Sequence, residues 1–312
     1  MSETPRPTYL ERLGARSAAT GTVLCLGIDP DPAALPAGFS ADVEGVGRFA
    51  ALLLEAALPF AAAVKPNLSF FEAFGSRGWA ALERLRARIP SDVPVIADAK
   101  RADIGTTSAR QVVAYFDGLA ADAVTVSPYL GEDAIAGYLE RHDRFAYVLC
   151  RTSNDGATDL QSLRVASTWG ADGAFTAPDE PLWARVARMA GTWGPGGTAG
   201  LVVGATAPEE LRAARTIAPG LAFLVPGVGA QGGAIEPVLA FGPAREAPAG
   251  GRPGGGLLVN VSRGIVSAAV GNGAAGGGRN GALNGAGSRA GDLGDRLAAA
   301  ARTWSEKLPV LP

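Results

Sequence analysis

Eight short runs rich in Val, Leu, Ile and Ala recur along the chain, and longer stretches with helical spacing lie between them. The runs predict strands at 22–28, 61–65, 93–97, 123–126, 146–149, 201–203, 222–225 and 257–261. The intervening helix candidates include 43–58, 79–89, 107–119, 181–192 and 208–217. Eight alternating units favour a closed parallel barrel, so the predicted fold is α/β, a TIM (β/α)8 barrel. An open doubly wound sheet stays as the alternative, because periodicity does not reveal closure.

The length of 312 residues suits one such domain spanning 1–312. With 47% hydrophobic and 19% charged residues, the chain has the material for a large core, which excludes a disordered protein. The net charge is −2 and no basic run occurs, so nucleic acid is not an expected partner.

The sequence contains no signal peptide and no apolar span of about 18 residues, so we expect no membrane association. Two cysteines, Cys25 and Cys150, both fall in predicted strands. These observations favour a cytoplasmic protein with reduced thiols. With a single histidine, His142, in a solvated helix end, no soft metal site is expected.

Three segments depart from the regular alternation of strands and helices. Residues 242–256 and 271–291 are rich in Gly, with Pro or Ala and Asn, and are expected to form flexible surface loops. Residues 155–179 are longer than a usual connection, which indicates either a loop that covers the substrate or a mobile insertion.

The end of the third predicted strand carries the strongest chemical signal, Asp98-Ala-Lys100-Arg-Ala-Asp103. Alternate strand residues face the same way, so Asp98 and Lys100 are expected at the barrel mouth, with Asp103 arriving from the loop. This places an ammonium between two carboxylates, which favours its charged form and makes Lys100 a proton donor. A structural ion-pair cluster is the other interpretation of the motif.

Lysine is rare in this chain, since only Lys65, Lys100 and Lys307 occur among 28 basic residues. Because Lys, unlike Arg, can release a proton, the two lysines at strand ends are candidates for chemistry, and Lys307 lies in the tail. Asp29 follows the first strand and joins Lys65 at the same rim, although it could also be a simple turn residue before Pro30.

Glycine-rich segments follow the last two predicted strands, at 226–233 and 260–264. Exposed backbone N–H groups and the guanidinium of Arg263 suit phosphate oxygens, and these two loops form the usual phosphate site of the barrel. Residues 227–232 also match G-x-G-x-x-G, but no β-α-β unit with an acidic residue follows, so a dinucleotide site is disfavoured. The polar segment 151–156 follows the fifth predicted strand. It could form hydrogen bonds with the edge of a base, or it could be a simple turn.

The segment 98–107, Asp-Ala-Lys-Arg-Ala-Asp-Ile-Gly-Thr-Thr, resembles the D-x-K-x-x-D-I-x-x-T signature of the orotidine 5′-monophosphate decarboxylases, in the form of their second prokaryotic branch. Supporting matches lie at 27–30, 64–67, 151–154, 203–206, 226–233 and 261–264. The resemblance implies release of CO2 from a nucleotide without metal or organic cofactor, in a homodimer with shared sites.

The resemblance also implies residue roles. Lys100 would protonate C6 of the pyrimidine, within a charged network of Lys65, Asp98 and Asp103. Asp103, Ile104 and Thr107 would serve the partner's site. Asp29 and Lys65 would bind the ribose, Ser153 would bind the pyrimidine, and Gln231 would bridge the base and the phosphate. The phosphate would be bound by Gly229, Gly232, Ser262, Arg263 and Gly264.

Three rival functions stay open. A Mg2+-dependent sugar-phosphate decarboxylase or synthase of the same superfamily shares the D-x-K-x-x-D core but lacks the D-I-x-x-T continuation. A Schiff-base aldolase could use Lys100 or Lys65 as nucleophile. A barrel that binds a phosphorylated ligand without catalysis is the third possibility.

Overall fold

A computed structural model describes residues 6–169, 175–229, 231–270 and 290–311. Eight strands form its central sheet: β1 Leu24–Ile28, β2 Ala63–Pro66, β3 Ile96–Arg101, β4 Ala123–Val126, β5 Phe145–Arg151, β6 Ala199–Val203, β7 Ala222–Val225 and β8 Leu258–Val261. All neighbouring strands pair in parallel, in the order β2-β1-β8-β7-β6-β5-β4-β3. Two isolated bridges, Val64 with Val95 and Asn67 with Asp98, join β2 to β3 and close the barrel.

The predicted barrel is therefore confirmed, and the open sheet is excluded. The helices are α1 Tyr9–Thr20, α2 Val43–Ala57, α3 Ser69–Glu72, α4 Gly75–Arg86, α5 Gly105–Val112, α6 Ala136–Leu139, α7 Ala157–Gln161, α8 Leu182–Ala190, α9 Pro208–Ile217, α10 Ile235–Phe241, α11 Arg263–Val270 and α12 Ala290–Lys307. A π-helical turn, Val113–Gly118, continues α5, so the helix predicted at 107–119 is interrupted in its middle. Most predicted boundaries agree within a few residues, but β3 runs four residues further than expected.

The alternation of side chains along the strands divides the core into two parts. Leu24, Leu26 and Ile28 of β1 face outward and pack under the helices, whereas Cys25 points into the barrel. The floor of the barrel is filled by Tyr9 of α1, whose ring stacks on Phe145 at 4.7 Å. Because the lower interior is apolar and closed, a ligand can enter only from the carboxyl ends of the strands.

The glycine-rich segment 242–256 is folded against the barrel, so the expectation of a flexible loop was wrong there. The N–H of Ala244 donates to the carbonyl of Gly255, and the N–H of Ala249 donates to Gly220. Both alanines are buried, and Pro253 lies against Gly14 of α1. Small residues here allow close packing, which composition alone does not distinguish from flexibility.

The other two unusual segments are described only in part. Of residues 271–291, all but the last two lie outside the described residues, and those two belong to the start of α12. The segment 155–179 contains α7 and two short antiparallel ribbons, which pair Arg164–Val165 with Glu180–Pro181 and Thr168–Trp169 with Phe175–Ala177. Glu180 anchors the first of these ribbons to α8 through ion pairs to Arg185 at 2.7 Å and Arg188 at 2.9 Å. A search of the described helices for one long and apolar enough to span a membrane finds none.

Candidate active site

The uppermost layer of the barrel interior is polar. On β2, β3 and β4 the inward positions Ala63, Ile96 and Ala123 are apolar, and the next inward positions are Lys65, Asp98 and Thr125. All three of these polar side chains are buried. Period-two alternation thus carries a charged layer to the mouth of an otherwise apolar barrel.

Asp98 lies between two ammonium groups. Its Oδ2 is 2.5 Å from Nζ of Lys65, and its Oδ1 is 2.6 Å from Nζ of Lys100. The side chain of Lys65 is 5% exposed, whereas that of Lys100 is 51% exposed and reaches into the open cavity. The sequence predicted an ammonium group between two carboxylates. Within one chain the structure shows the reverse, because the carboxylate of Asp98 lies between the ammonium groups of Lys65 and Lys100.

The two lysines set the protonation of this cluster. Burial alone would raise the pKa of Asp98, but the positive charges of Lys65 and Lys100 hold it below its usual value. Burial alone would lower the pKa of Lys65, but the charges of Asp98 and Asp29 hold it above its usual value. Burial raises the pKa of the Cys25 thiol beneath the cluster to about 12. The buried groups are therefore fixed as Lys65 cation, Asp98 anion and neutral Cys25 at physiological pH.

A cavity of about 450 Å³ lies above the cluster. Its remaining walls come from strand ends and the loops after them: Thr125, Leu149, Thr152, Ser153, Asn154, Gln161, Val202, Leu224, Pro226 and Gln231. The predicted Ser153 and Gln231 are thus brought to the same cavity as Lys65, Asp98 and Lys100. Its four apolar residues, Leu149, Val202, Leu224 and Pro226, together with the polar groups around them, suit a flat heterocycle that carries hydrogen-bonding groups.

Gln161 was not predicted as a site residue. Its Nε2 donates to Oγ1 of Thr152 at 2.8 Å, and its Oε1 accepts from the Thr152 N–H at 2.9 Å. This pair of bonds fixes the turn that carries Ser153 and Asn154. The one sequence feature that could have pointed to Gln161 was its position in the long loop after β5. Its partner Thr152 lies nine residues earlier in the chain.

A smaller hollow of about 80 Å³ adjoins the cavity. It is lined by Asp29, Pro226, Gly227, Val228, Gln231, Asn260, Ser262, Arg263 and Gly264. Oδ1 of Asp29 and Oδ1 of Asn260 are buried there, and neither has a hydrogen-bond partner among the described residues. Two unsatisfied oxygens suit a ligand with hydroxyl donors, such as a sugar. Asn260 was not singled out from the sequence, although it lies next to the predicted phosphate loop.

Gln231 lines both the cavity and the hollow. It therefore lies at the junction of the two compartments. Arg263 is at the edge of the hollow and is exposed, so its guanidinium is accessible to an anion.

Trp304 of α12 packs against the backbone of both glycine loops. A Cβ atom on Gly229 or on Gly264 would lie 2.8 Å from the indole ring, so only glycine fits at these positions beside the tryptophan. Gly229 also has a φ of 77°, which disfavours other residues. Nζ of Lys307 lies 5.3 Å from the centre of the same ring. The third lysine of the chain is therefore part of this support.

Asp103, Ile104 and Thr107 do not line the cavity of their own chain in the described structure. They follow β3, where Oδ1 of Asp103 accepts from the N–H of Ile104 at 2.8 Å. Ile104 is 63% exposed, and Tyr129 in the loop after β4 is 78% exposed. The backbone N–H of Asp103 donates to Ala134, which ties the two loops together. These residues form an exposed, partly apolar surface beside the site.

The fold and the site together define a (β/α)8-barrel enzyme whose charged cluster and glycine-rich loops share the carboxyl rim. Residues 22–276 match the Orotidine 5'-phosphate decarboxylase / HUMPS family. A protein of Roseiflexus castenholzii named orotidine 5'-phosphate decarboxylase is 43% identical over 301 residues, which cover 96% of this chain and 95% of that protein. One of Halorubrum lacusprofundi with the same name is 45% identical over 262 residues, or 84% of this chain and 88% of that protein.

Among solved structures, the OMP decarboxylase of Leishmania donovani superposes with a TM-score of 0.69 and 37% identity, covering 83% of this chain and 90% of that chain. The chain belongs to the orotidine 5′-phosphate decarboxylase / HUMPS family. The resemblance noted in the signature at 98–107 is thereby confirmed.

Proposed function

We propose that this protein decarboxylates orotidine 5′-monophosphate to uridine 5′-monophosphate, the last step of de novo pyrimidine synthesis, with Lys100 as the proton donor. The observation that carries the proposal is the Lys65–Asp98–Lys100 cluster at the base of a cavity whose far end is an anion-accessible hollow. Family membership and the names of its relatives support the same reaction.

The chemistry follows from where the charges lie. The C6–carboxylate bond of the substrate breaks, CO2 leaves, and the electron pair stays on C6. The ammonium of Lys100 stabilises that negative charge and then transfers a proton to C6, so that one N–H bond breaks and one C–H bond forms. Asp98 disfavours the bound carboxylate by like charge, and Lys65 keeps Asp98 ionised. Solvent returns the proton to Lys100.

The rest of the substrate is held by the loops of the rim. Asp29 and Lys65 contact the ribose, Ser153 reads the pyrimidine, and Gln231 spans base and phosphate. The phosphate lies among Gly229, Gly232, Ser262, Arg263 and Gly264. Support for this arrangement comes from Gln231, which borders both compartments, and from the unsatisfied Oδ1 of Asp29. Binding energy from the phosphate then holds the reacting carbon near Lys100.

We further propose a homodimer in which Asp103, Ile104 and Thr107 complete the partner's site. Ile104, which follows Asp103, is exposed, as are Tyr129 and Leu130 in the loop after β4 that hydrogen-bonds to Asp103, and a second copy of the chain would cover these apolar side chains. The free cysteines Cys25 and Cys150 and a biosynthetic reaction support a cytoplasmic location.

The donor set argues against the Mg2+-dependent relative. Both oxygens of Asp98 are already paired with ammonium groups, so a divalent cation would have to displace a lysine and enter a positive field. The same pairing keeps Lys65 charged, which disfavours a Schiff base on that lysine.

The test is CO2 release and uridine 5′-monophosphate formation from orotidine 5′-monophosphate by protein treated with EDTA. Full activity after chelation is expected. Loss of activity that Mg2+ restores would favour the sugar-phosphate enzyme, and borohydride trapping of a lysine adduct would favour the aldolase. Binding of the nucleotide without any CO2 release would indicate a non-catalytic barrel.

A further inference from the structure

The backbone of Lys100 is held in an unusual conformation. Its φ is 50°, and among the described residues only one other non-glycine residue, Ala120, has a positive φ. A side chain with a Cβ atom is disfavoured in this left-handed region, so surrounding contacts must hold it there.

The cause is an interruption in the pairing of β3 with β4. Ala97 pairs with Val124, and Arg101 pairs with Val126. Between these two pairs the chain moves four positions along β3 but only two along β4, so β3 contains two extra residues. The extra length turns Lys100 out of the regular strand, and neither Ala99 nor Lys100 has a partner residue in the register with β4. Bulges of this kind redirect side chains next to active sites.

The side chain of Thr125 fills the resulting gap. Its Oγ1 accepts from the N–H of Ala99 and from the N–H of Lys100, each at 3.0 Å. The same hydroxyl donates to Oδ1 of Asp98 at 3.0 Å, the oxygen that also binds Nζ of Lys100. One buried hydroxyl therefore holds the backbone of the lysine and orients the carboxylate that pairs with its ammonium.

We propose that Thr125 is a positioning residue for the decarboxylation, which holds Lys100 in its left-handed conformation and aims its ammonium at the reacting carbon. The inference rests on the function proposed above, because it gives Thr125 a role through Lys100. Thr125 needs no contact with the substrate for this role, so its removal affects the chemical step more than substrate binding.

Thr125→Val keeps the shape of the side chain and removes the hydroxyl, and Thr125→Ser keeps the hydroxyl. A displacement of about 1 Å in a reacting group costs up to about 100-fold in rate, so Thr125→Val should lower kcat by about 10- to 100-fold. KM for orotidine 5′-monophosphate should change less than about threefold, and Thr125→Ser should retain most of the activity.

A matched control is Thr198→Val. Thr198 is also buried, at 2% exposure, but its Oγ1 has no hydrogen-bond partner among the described residues, so this variant should keep the wild-type kcat. A crystal structure of Thr125→Val should show Lys100 out of the left-handed region and its Nζ withdrawn from Asp98.

Each outcome bears on one idea. Wild-type kcat in Thr125→Val, or a lowered kcat with Lys100 unmoved in the crystal, would overturn the role of Thr125 and leave the proposed function intact. Equal loss in Thr125→Ser and Thr125→Val would do the same, because the hydroxyl would then be irrelevant. A wild-type protein that releases no CO2 would instead overturn the proposed function.

Discussion

Replacing Lys65 with methionine should destabilise the folded protein far more than the same replacement of Lys100. Both ammonium groups lie at nearly the same distance from Asp98, 2.5 and 2.6 Å. Their surroundings differ, since the side chain of Lys65 is 5% exposed and that of Lys100 is 51% exposed. The two variants therefore separate the effect of burial from the effect of distance.

The magnitude follows from that difference. Removing one partner of a buried ion pair costs roughly 3–5 kcal/mol, and the Lys100 contact that Asp98 keeps puts Lys65→Met near the lower limit, at about 3 kcal/mol. A pair with an exposed partner contributes at most about 1 kcal/mol, which is the limit for Lys100→Met. With an unfolding entropy of about 2.1 cal/mol/K per residue over 312 residues, these losses lower Tm by roughly 5 °C and under about 2 °C.

Thermal unfolding followed by circular dichroism, together with urea midpoints, measures both differences on the same preparations. We expect both variants to lose decarboxylation, so the comparison between them depends on their stability and not on their activity. Equal losses of stability, or a larger loss in Lys100→Met, would refute the reasoning, because the buried pair would then contribute no more than the exposed one.

Three other predictions test the site. Lys100→Ala should lower CO2 release by about 10²- to 10⁴-fold while uridine 5′-monophosphate still binds in calorimetry, and retained turnover would remove Lys100 as proton donor. Tyr129→Glu should convert dimers to monomers in sedimentation and reduce activity, and an active monomeric wild type would contradict the shared site. The depressed pKa of Asp98 means that its carboxylate stabilises the fold above its unfolded pKa of about 3.9, and that this contribution is lost as the pH falls through the lower folded value. The gap in urea midpoint between wild type and Asp98→Asn should therefore narrow from pH 7 to pH 3, and a constant gap would contradict it.

The positions of the strands could be predicted because each one is a short apolar run between helical segments. The alternation rule predicted that Asp98 and Lys100 lie at the barrel mouth, and both line the cavity together with Lys65, which was placed there by its position at a strand end. The contact of Lys100 with Asp98 nevertheless depends on an irregularity of β3 opposite Thr125, which alternation alone does not predict. The sequence Ala99-Lys100-Arg101 contains no residue type that predicts this irregularity.

The other differences between the sequence-based predictions and the structure arise from long-range contacts. The segment 242–256 has the composition of a linker, but its small residues fit closely against α1 and the loop at Gly220. Gln161 and Asn260 each acquire a role through neighbours that the fold supplies. A single sequence gives the types of these residues, whereas their partners depend on how the barrel closes.

The contact of Trp304 with two glycines has a consequence for the history of the family. A relative with alanine at the position of Gly264 needs a smaller ring or an aliphatic side chain where this chain has Trp304, because the added methyl would lie 2.8 Å from the indole. Substitutions at these sites should therefore appear in pairs along evolutionary lineages, although 40 residues separate them in the chain. The last helix thus restricts which mutations the glycine-rich loops of the rim can accept.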